Sequence, residues 1–228
     1  MGSNIFVTGG TGYIGSRLIP LLIERGHHVT ALARESSKHR LPPSCECVIG
    51  DALNGPSYSQ AIQGTATFVH LVGVSHPSPA KAREFVAVDL KSALESIAVA
   101  KALQVSHFVY LSVAHPAPAM KAYVDVRVQC EDALSRSGLN ATILRPWYVL
   151  GPGHRWPYLL VPFYRLAELI PGTRESAVRL GLVTIQQMVC ALVSSIENPS
   201  SGQRVLTTLD IRKADPLVEG QSRSVAAL

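Results

Sequence analysis

The sequence predicts an α/β fold in which helices cover both faces of a doubly wound, mostly parallel β-sheet. Two observations indicate this class. Short apolar segments typical of buried strands alternate along the chain with longer segments of helical periodicity. The 228 residues, 47% of them apolar, suffice for one substantial core and are about the upper size for one such domain. We therefore expect a single domain over residues 1–228, with right-handed crossovers between parallel strands.

Six segments before residue 151 have the apolar pattern of buried strands, and helical segments between them supply crossovers. We predict strands at 4–9, 28–34, 45–51, 66–73 and 106–113, a sixth strand with its exit loop at 140–151, and helices at 13–25, 79–103 and 121–137. Beyond residue 151 the pattern loosens to a loop with an apolar helix (151–172), a helix (183–198) and a last strand (203–211). Residues 151–211 are therefore expected to form the substrate side of the domain, and 213–228 a flexible tail.

Four glycines fall within Thr8–Gly15, where the first predicted strand gives way to the first helix. Gly9 can take the backbone angles of a tight turn, and the lack of a side chain at Gly12 lets a diphosphate approach the main chain. Gly15 lets the helix lie close against the sheet. The unpaired N–H groups of the helix N-terminus favour an anion. The junction therefore predicts a dinucleotide-binding turn; the alternative is a plain turn with spare glycines.

This TGxxGxxG motif resembles that of the short-chain dehydrogenase/reductase superfamily. The resemblance is closest to the extended and atypical branches, namely NAD-dependent epimerase/dehydratase proteins and NmrA-like or complex I 39 kDa subunit-like NAD(P)-binding proteins. Four later segments agree with it: VIGDALN from Val48, VHLVG from Val69, FVYLS from Phe108 and ATILRPWYVLGPG from Ala141. The resemblance covers about Asn4 to Ile211. It implies a Rossmann-fold doubly wound parallel sheet with a small C-terminal, substrate-side extension.

The resemblance also implies which residues would contact the dinucleotide. Asp51 would face the adenine, and the turn after the fourth strand would lie beside the nicotinamide half. The implied cofactor-binding residues, apart from the adenine-side phosphate contact, are Gly9, Thr11, Gly12, Tyr13, Ile14, Gly15, Asp51, Ala52, Leu71, Val72 and Gly73.

The residue that ends the second strand bears on the choice of dinucleotide. NAD-specific relatives usually place there an acid that binds the ribose hydroxyls. This chain has Arg34, followed by a basic segment that ends at Arg40. A guanidinium suits the 2′-phosphate of NADP by its charge and its bidentate geometry. We therefore favour NADP(H) over NAD(H), with Arg34 as the phosphate contact; the alternative is a solvated basic loop.

The superfamily's chemistry depends on Tyr-x-x-x-Lys and an upstream Ser. A spacing of four places Tyr and Lys on one helix face. The matching residues here are Tyr123 and Ser112, but Arg127 stands where the lysine is expected. A guanidinium keeps the charge, yet it is larger and planar and does not release a proton. Catalysis is therefore either retained in weakened or altered form, or lost. Tyr123 as an ordinary helix residue and Ser112 as a strand-end hydroxyl stay open.

Three functions are compatible with this sequence. The first is an NADP(H)-dependent oxidoreductase or epimerase/dehydratase-like enzyme acting on a small substrate, with Ser112, Tyr123 and Arg127 as catalytic residues. The second is an NADP(H)-binding sensor or scaffold without turnover, which Arg127 favours. A nucleic-acid regulator ranks last, because the basic residues behind the net charge of +5 are mostly dispersed. The short region beyond residue 151 argues against a nucleotide-sugar substrate.

The remaining composition gives further expectations. The four cysteines are scattered without a paired motif, which indicates reduced thiols in the cytoplasm and no metal site. No apolar run reaches the roughly 18 residues of a membrane span, and the N-terminus lacks a secretory signal pattern. We expect a dinucleotide and a small molecule as ligands, and no nucleic acid or membrane. A homodimer or a protein partner is left open.

Overall fold

A seven-stranded parallel sheet forms the centre of the protein in this computed structural model, which describes residues 2–152 and 180–214. Its first six strands are β1 (Asn4–Thr8), β2 (His28–Ala33), β3 (Glu46–Ile49), β4 (Thr67–His70), β5 (His107–Leu111) and β6 (Ala141–Leu144). Its seventh strand is the last in the described part of the chain, β9 (Gln203–Leu206). Two short parallel strands, β7 (Tyr148–Leu150) and β8 (Leu182–Thr184), pair separately. The order across the large sheet is β3-β2-β1-β4-β5-β6-β9.

Helices flank this sheet on both faces. They are α1 (Gly15–Glu24), α2 (Ala82–Glu84), α3 (Lys91–Ala102), α4 (Lys121–Ser137), α5 (Ile185–Glu197) and α6 (Thr208–Arg212). A π-helical segment, Phe85–Leu90, joins α2 to α3. Short 3₁₀ segments follow several strands, including Glu35–Arg40 after β2.

Two apolar cores explain why the strands are apolar on both faces. One lies between the sheet and helices α1 and α5, and it contains Ile5 and Val7 of β1. The other lies between the sheet and helices α3 and α4, and it contains Phe6. Successive strand residues point to opposite faces, so a strand covered by helices on both sides needs an unbroken apolar run. The predicted doubly wound α/β class is confirmed.

The order of strands places a crevice beside β1. The chain builds β1, β2 and β3 outward in one direction and then returns to lay β4 on the other side of β1. The connections after β1 and β4 therefore leave on opposite sides, which opens a gap at the carboxyl ends of the strands. Ligands of doubly wound sheets bind at this switch point.

The predicted elements up to residue 151 are present, with differences at their ends. The helix predicted at 79–103 contains the π-helical segment, and the segment 140–151, predicted as a strand with its exit loop, forms β6 and then the short strand β7. The prediction of a strand through residue 211 is wrong after Leu206. Thr207 and Asp210 form a capping box that starts α6. A capping box at Thr184 likewise starts α5 two residues later than predicted, and leaves Leu182–Thr184 as a strand.

Predictions for residues 153–179 and 215–228 lie outside the described residues. They include most of the apolar helix at 151–172 and nearly all of the tail at 213–228. Within residues 2–152 and 180–214, no helix is both long and apolar enough to cross a membrane.

Candidate dinucleotide-binding and catalytic site

The turn after β1 has the geometry expected of a phosphate-binding turn. Gly9 has a φ of +77°, and a Cβ there would stand 2.7 Å from the carbonyl carbon of Leu71. The turn therefore lies directly against the turn after β4, and only glycine fits. Gly12 is exposed, donates its N–H to the Gly9 carbonyl at 3.0 Å, and would meet only that oxygen if it carried a Cβ. Its outer side is open.

The first turn of α1 lies against the same loop. A Cβ on Gly15 would stand 2.6 Å from the Cα of Gly10, so this glycine allows the helix to start in contact with the turn. No side chain caps the helix at Ile14. The N–H groups of Ser16 and Arg17 donate to the carbonyls of Gly12 and Ile14 at 3.0 Å, so the helix favours an anion through its dipole rather than through these two N–H groups. Arg17 holds the loop from the helix: its Nη1 donates to the Tyr13 carbonyl at 2.7 Å, and its guanidinium lies 4.2 Å from the Tyr13 ring centroid. Thr11 is half-buried in the same turn.

The side of the crevice that is predicted to hold the adenine lies at the ends of β2 and β3. Arg34 follows β2 directly; its side chain is exposed and makes no hydrogen bond or ion pair within the described part of the chain. Lys38, by contrast, is paired with Glu35. Asp51 follows β3, and its Oδ1 accepts the N–H of Leu53 at 2.9 Å, which fixes the carboxylate at the surface. Ala52 packs against the core beside it. In the described part of the chain, this edge therefore offers an unpaired guanidinium directly after β2.

A buried histidine holds the base of the phosphate-binding turn, and sequence reasoning gave it no such role. His70, the last residue of β4, pairs through Nδ1 with the hydroxyl of Thr8 at 2.9 Å and through Nε2 with that of Ser92 at 3.4 Å. Complete burial lowers the pKa of His70 to about 3, with a contribution from the nearby Arg127 charge. The ring is therefore a neutral link between β1, β4 and α3.

Ser112 does not use its hydroxyl toward Tyr123. It is buried at the end of β5 and donates to Oε1 of Glu131 on α4. Glu131 also accepts from Arg145 in a close ion pair, and His115 Nε2 lies 3.7 Å from its Oε2. The following residue, Val113, belongs to the small apolar cluster against which Tyr123 packs. After β5, therefore, a side chain near Tyr123 is the hydrocarbon of Val113.

Arg127 is inside the protein. Its Nη2 pairs with Oδ1 of Asp89 at 2.6 Å, and its Nη1 donates to the Leu111 carbonyl at 2.8 Å. Its guanidinium carbon lies 5.2 Å from the ring centroid of the half-buried Tyr123. Burial opposes the charge, but Tyr123, Tyr110 and Asp89 together raise the pKa of Arg127 well above its usual value. A permanent cation is thus fixed beside the Tyr123 ring.

The predicted catalytic residues are therefore only partly brought together. Tyr123 and Arg127 are in contact, whereas the Ser112 hydroxyl is bonded to Glu131. Sequence reasoning missed Asp89, which lies in the π-helical segment and is fully buried. A signal was available. Asp89 is four residues after Phe85 and three before Ser92, so an acid occupies the core-facing stripe of a helix.

Comparison with known proteins agrees with this geometry. A family model described as NAD(P)H-binding matches residues 9–155. The chain belongs to this NAD(P)H-binding family. The resemblance to the extended short-chain dehydrogenase/reductase branch is confirmed as well. Binding of NAD or NADP is thus supported.

Individual relatives are more distant. The chain is 36% identical over 70 residues to a 3-beta-hydroxysteroid dehydrogenase of Mycolicibacterium neoaurum, covering 31% of this chain and 19% of that protein. It is 24% identical over 214 residues to a ceramide reductase of Caulobacter vibrioides, covering 92% and 65%. It spans less than two thirds of either relative's length. Among solved structures, the Bordetella bronchiseptica enzyme WbmH in complex with NAD+ shares the fold, with a TM-score of 0.69, 24% identity and coverage of 91% and 76%.

Proposed function

We propose that this protein is an NADP(H)-dependent oxidoreductase that interconverts a ketone and a secondary alcohol on a small, largely apolar molecule. The observation that carries the proposal is the contact of the Tyr123 ring with a fixed cation, the Arg127 guanidinium 5.2 Å from the ring centroid, in a sheet protein whose first turn has phosphate-binding geometry. A cation beside the phenol stabilises the negative charge that develops when the phenol gives up its proton.

NADP(H) is proposed over NAD(H) because of Arg34. Its side chain directly follows β2 and has no partner in the described residues. Near the ribose of a bound dinucleotide it would pair with a 2′-phosphate, which NAD lacks. The acid by which NAD-specific proteins bind the ribose hydroxyls is absent from this position.

An apolar substrate is proposed on two grounds. The half-buried Trp147 packs against the same buried cluster, Val113, Ala117 and Val124, as Tyr123 does, which places apolar surface near the phenol. The names of the two curated relatives refer to a hydroxysteroid and a ceramide, both largely apolar molecules with hydroxyl groups. An apolar surface with few polar groups orients such a substrate by exclusion of water.

In the proposed reduction, Tyr123 donates its proton to the carbonyl oxygen of the substrate. The chemistry that a bound NADPH supplies is the hydride for the carbonyl carbon. Arg127 stays protonated and stabilises the phenolate, which regains a proton from water. Ser112 acts through Glu131 to hold the end of β5.

The test is NADPH oxidation followed by absorbance against a panel of apolar ketones, with Tyr123→Phe beside the native chain. We expect turnover with at least one ketone and its loss in the variant, while NADPH affinity by calorimetry stays unchanged. Equal turnover in both proteins would remove Tyr123 from the proposal.

A second candidate is a protein that binds NADP(H) as a sensor or scaffold and has no turnover. It is favoured because both catalytic candidates already use their polar groups inside the protein. Arg127 donates hydrogen bonds to Asp89 and to the Leu111 carbonyl, and the Ser112 hydroxyl donates to Glu131. Arg127→Lys separates the candidates. A gain of turnover over an inactive native protein would support the sensor, whereas loss from an active one supports the enzyme.

A further inference from the structure

The turn after β4 is held from both sides. On one side, the backbone of Leu71 and Val72 touches Gly9 of the phosphate-binding turn. On the other, Oδ2 of Asp89 accepts the N–H of Val74 at 3.0 Å, while Oδ1 of the same carboxylate pairs with Arg127 at 2.6 Å. One buried carboxylate thus ties the turn to α4.

Gly73 is shaped to this arrangement. A Cβ added at Gly73 would overlap Nη2 of Arg127 and stand 3.2 Å from Oδ1 of Asp89. The guanidinium therefore fills the space beneath the turn that a side chain would need. Gly73 itself is exposed on the outer side. A ligand that contacts the exposed side of the turn would therefore meet its main chain, with the guanidinium of Arg127 directly behind it.

The ion pair is poorly explained by stability alone. Asp89 is 0% exposed and Arg127 is 4% exposed, so both charges have lost their water. A buried ion pair is often no more stabilising than apolar residues of similar volume, whereas breaking one is costly. Its benefit here is geometric, because a charge-assisted network fixes the turn more narrowly than apolar packing does.

We infer that Asp89 and Arg127 are positioning residues that fix the turn Leu71–Val74 against the nicotinamide half of the dinucleotide. The inference rests on the proposed binding of NADP(H) at the phosphate-binding turn. In place of a cation offered to the ribose hydroxyls, Arg127 acts through Asp89 on the main chain of the turn. The adenine end, bound at the ends of β2 and β3, is independent of this pair.

The experiment compares two ligands by calorimetry: NADPH, and adenosine 2′,5′-bisphosphate, which carries the adenine end alone. The variants are Asp89→Asn, Arg127→Met, the double variant Asp89→Asn/Arg127→Met, and Gly73→Ala. Lys121→Ala, which breaks an exposed pair with Asp125, is the control. The double variant guards against loss of folding, because it leaves no unpaired buried charge.

We expect the single variants at Asp89 and Arg127 to melt at lower temperature and the double variant to recover most of that loss. NADPH should bind the double variant and Gly73→Ala about tenfold more weakly than the native chain, as expected for one lost charge-assisted contact network. Affinity for the bisphosphate should be unchanged in both, and Lys121→Ala should match the native chain for both ligands.

Equal weakening of both ligands, or native NADPH affinity in the double variant, would overturn the inference and leave the proposed function standing. A native chain that binds neither ligand would overturn the proposed function and the inference with it.

Discussion

Replacing Gly12 by alanine should abolish dinucleotide binding while leaving the fold intact. The position is exposed, its φ lies outside the left-handed region, and an added Cβ would meet only the Gly9 carbonyl oxygen at 3.2 Å. The stability of the unliganded protein should therefore change by less than about 1 kcal/mol, with the reduced freedom of the unfolded chain offsetting the close contact. The methyl group would point to the side from which a diphosphate must approach the main chain.

The loss of NADPH binding in Gly12→Ala should be visible as a smaller rise in melting temperature. At an NADPH concentration about one hundred times Kd, binding adds about 2.7 kcal/mol to the free energy of unfolding. For a chain of this size that raises the melting temperature by about 5–11 °C. The native protein should show this rise in a thermal scan, and Gly12→Ala should not.

Gly15→Ala is the matched comparison for this experiment. Its Cβ would stand 2.6 Å from the Cα of Gly10, which forces the main chain to shift. The unliganded variant should lose about 1–3 kcal/mol of stability, as overpacked sites do. A full NADPH-induced rise in Gly12→Ala would refute the assignment of the diphosphate to this turn.

Further outcomes follow from other groups. Arg34→Ala should weaken NADPH about tenfold, the loss of one charge-assisted contact, and leave NADH unchanged in calorimetry, while Arg40→Ala serves as the control. His70 and His107 have pKa values lowered to about 3 and about 4 by burial, so the folded state stays neutral there while the unfolded chain takes up protons below pH 6.5. Stability measured by urea unfolding should therefore be complete above pH 6.5 and fall on acidification, by up to about 1.4 kcal/mol per pH unit for each histidine, and a flat profile between pH 7 and 5 would contradict this. Arg145→Met should cost about 3 kcal/mol in the same assay, because Glu131 would remain buried without its arginine; this is the lower end for a broken buried pair, since Arg145 is partly exposed.

The strand and helix pattern was predictable because each strand is buried on both faces. An unbroken apolar run such as that of β1 has no other common explanation when a glycine turn and a helical pattern follow it. The ends of helices that are set by polar capping side chains were harder to predict. Thr207, which caps α6, is a good strand former, so the residues after it were assigned to the preceding strand. Before α5, the short strand Leu182–Thr184 was instead merged into the helix that follows it.

The candidate site was predictable only as a set of positions. A motif says that Ser112, Tyr123 and Arg127 approach the crevice, but it does not say which way each polar group turns. The hydroxyl of Ser112 turns to Glu131 because a buried carboxylate needs donors, and Arg127 turns inward because Asp89 needs a cation. Those partners lie 19 and 38 residues away along the chain, beyond the reach of spacing arguments.

Helix α5 has a consequence for how this protein can be divided. The family match ends at residue 155, yet the leucines and isoleucine on the inner face of α1 are covered by residues from α5, and Arg25 clasps Glu197 through two bonds of 2.7 and 2.8 Å. A fragment that ends at residue 155 would expose an apolar stripe along α1, the helix that begins at the phosphate-binding turn. Such a truncated polypeptide should aggregate rather than bind a nucleotide, so the matched segment is not expected to fold independently.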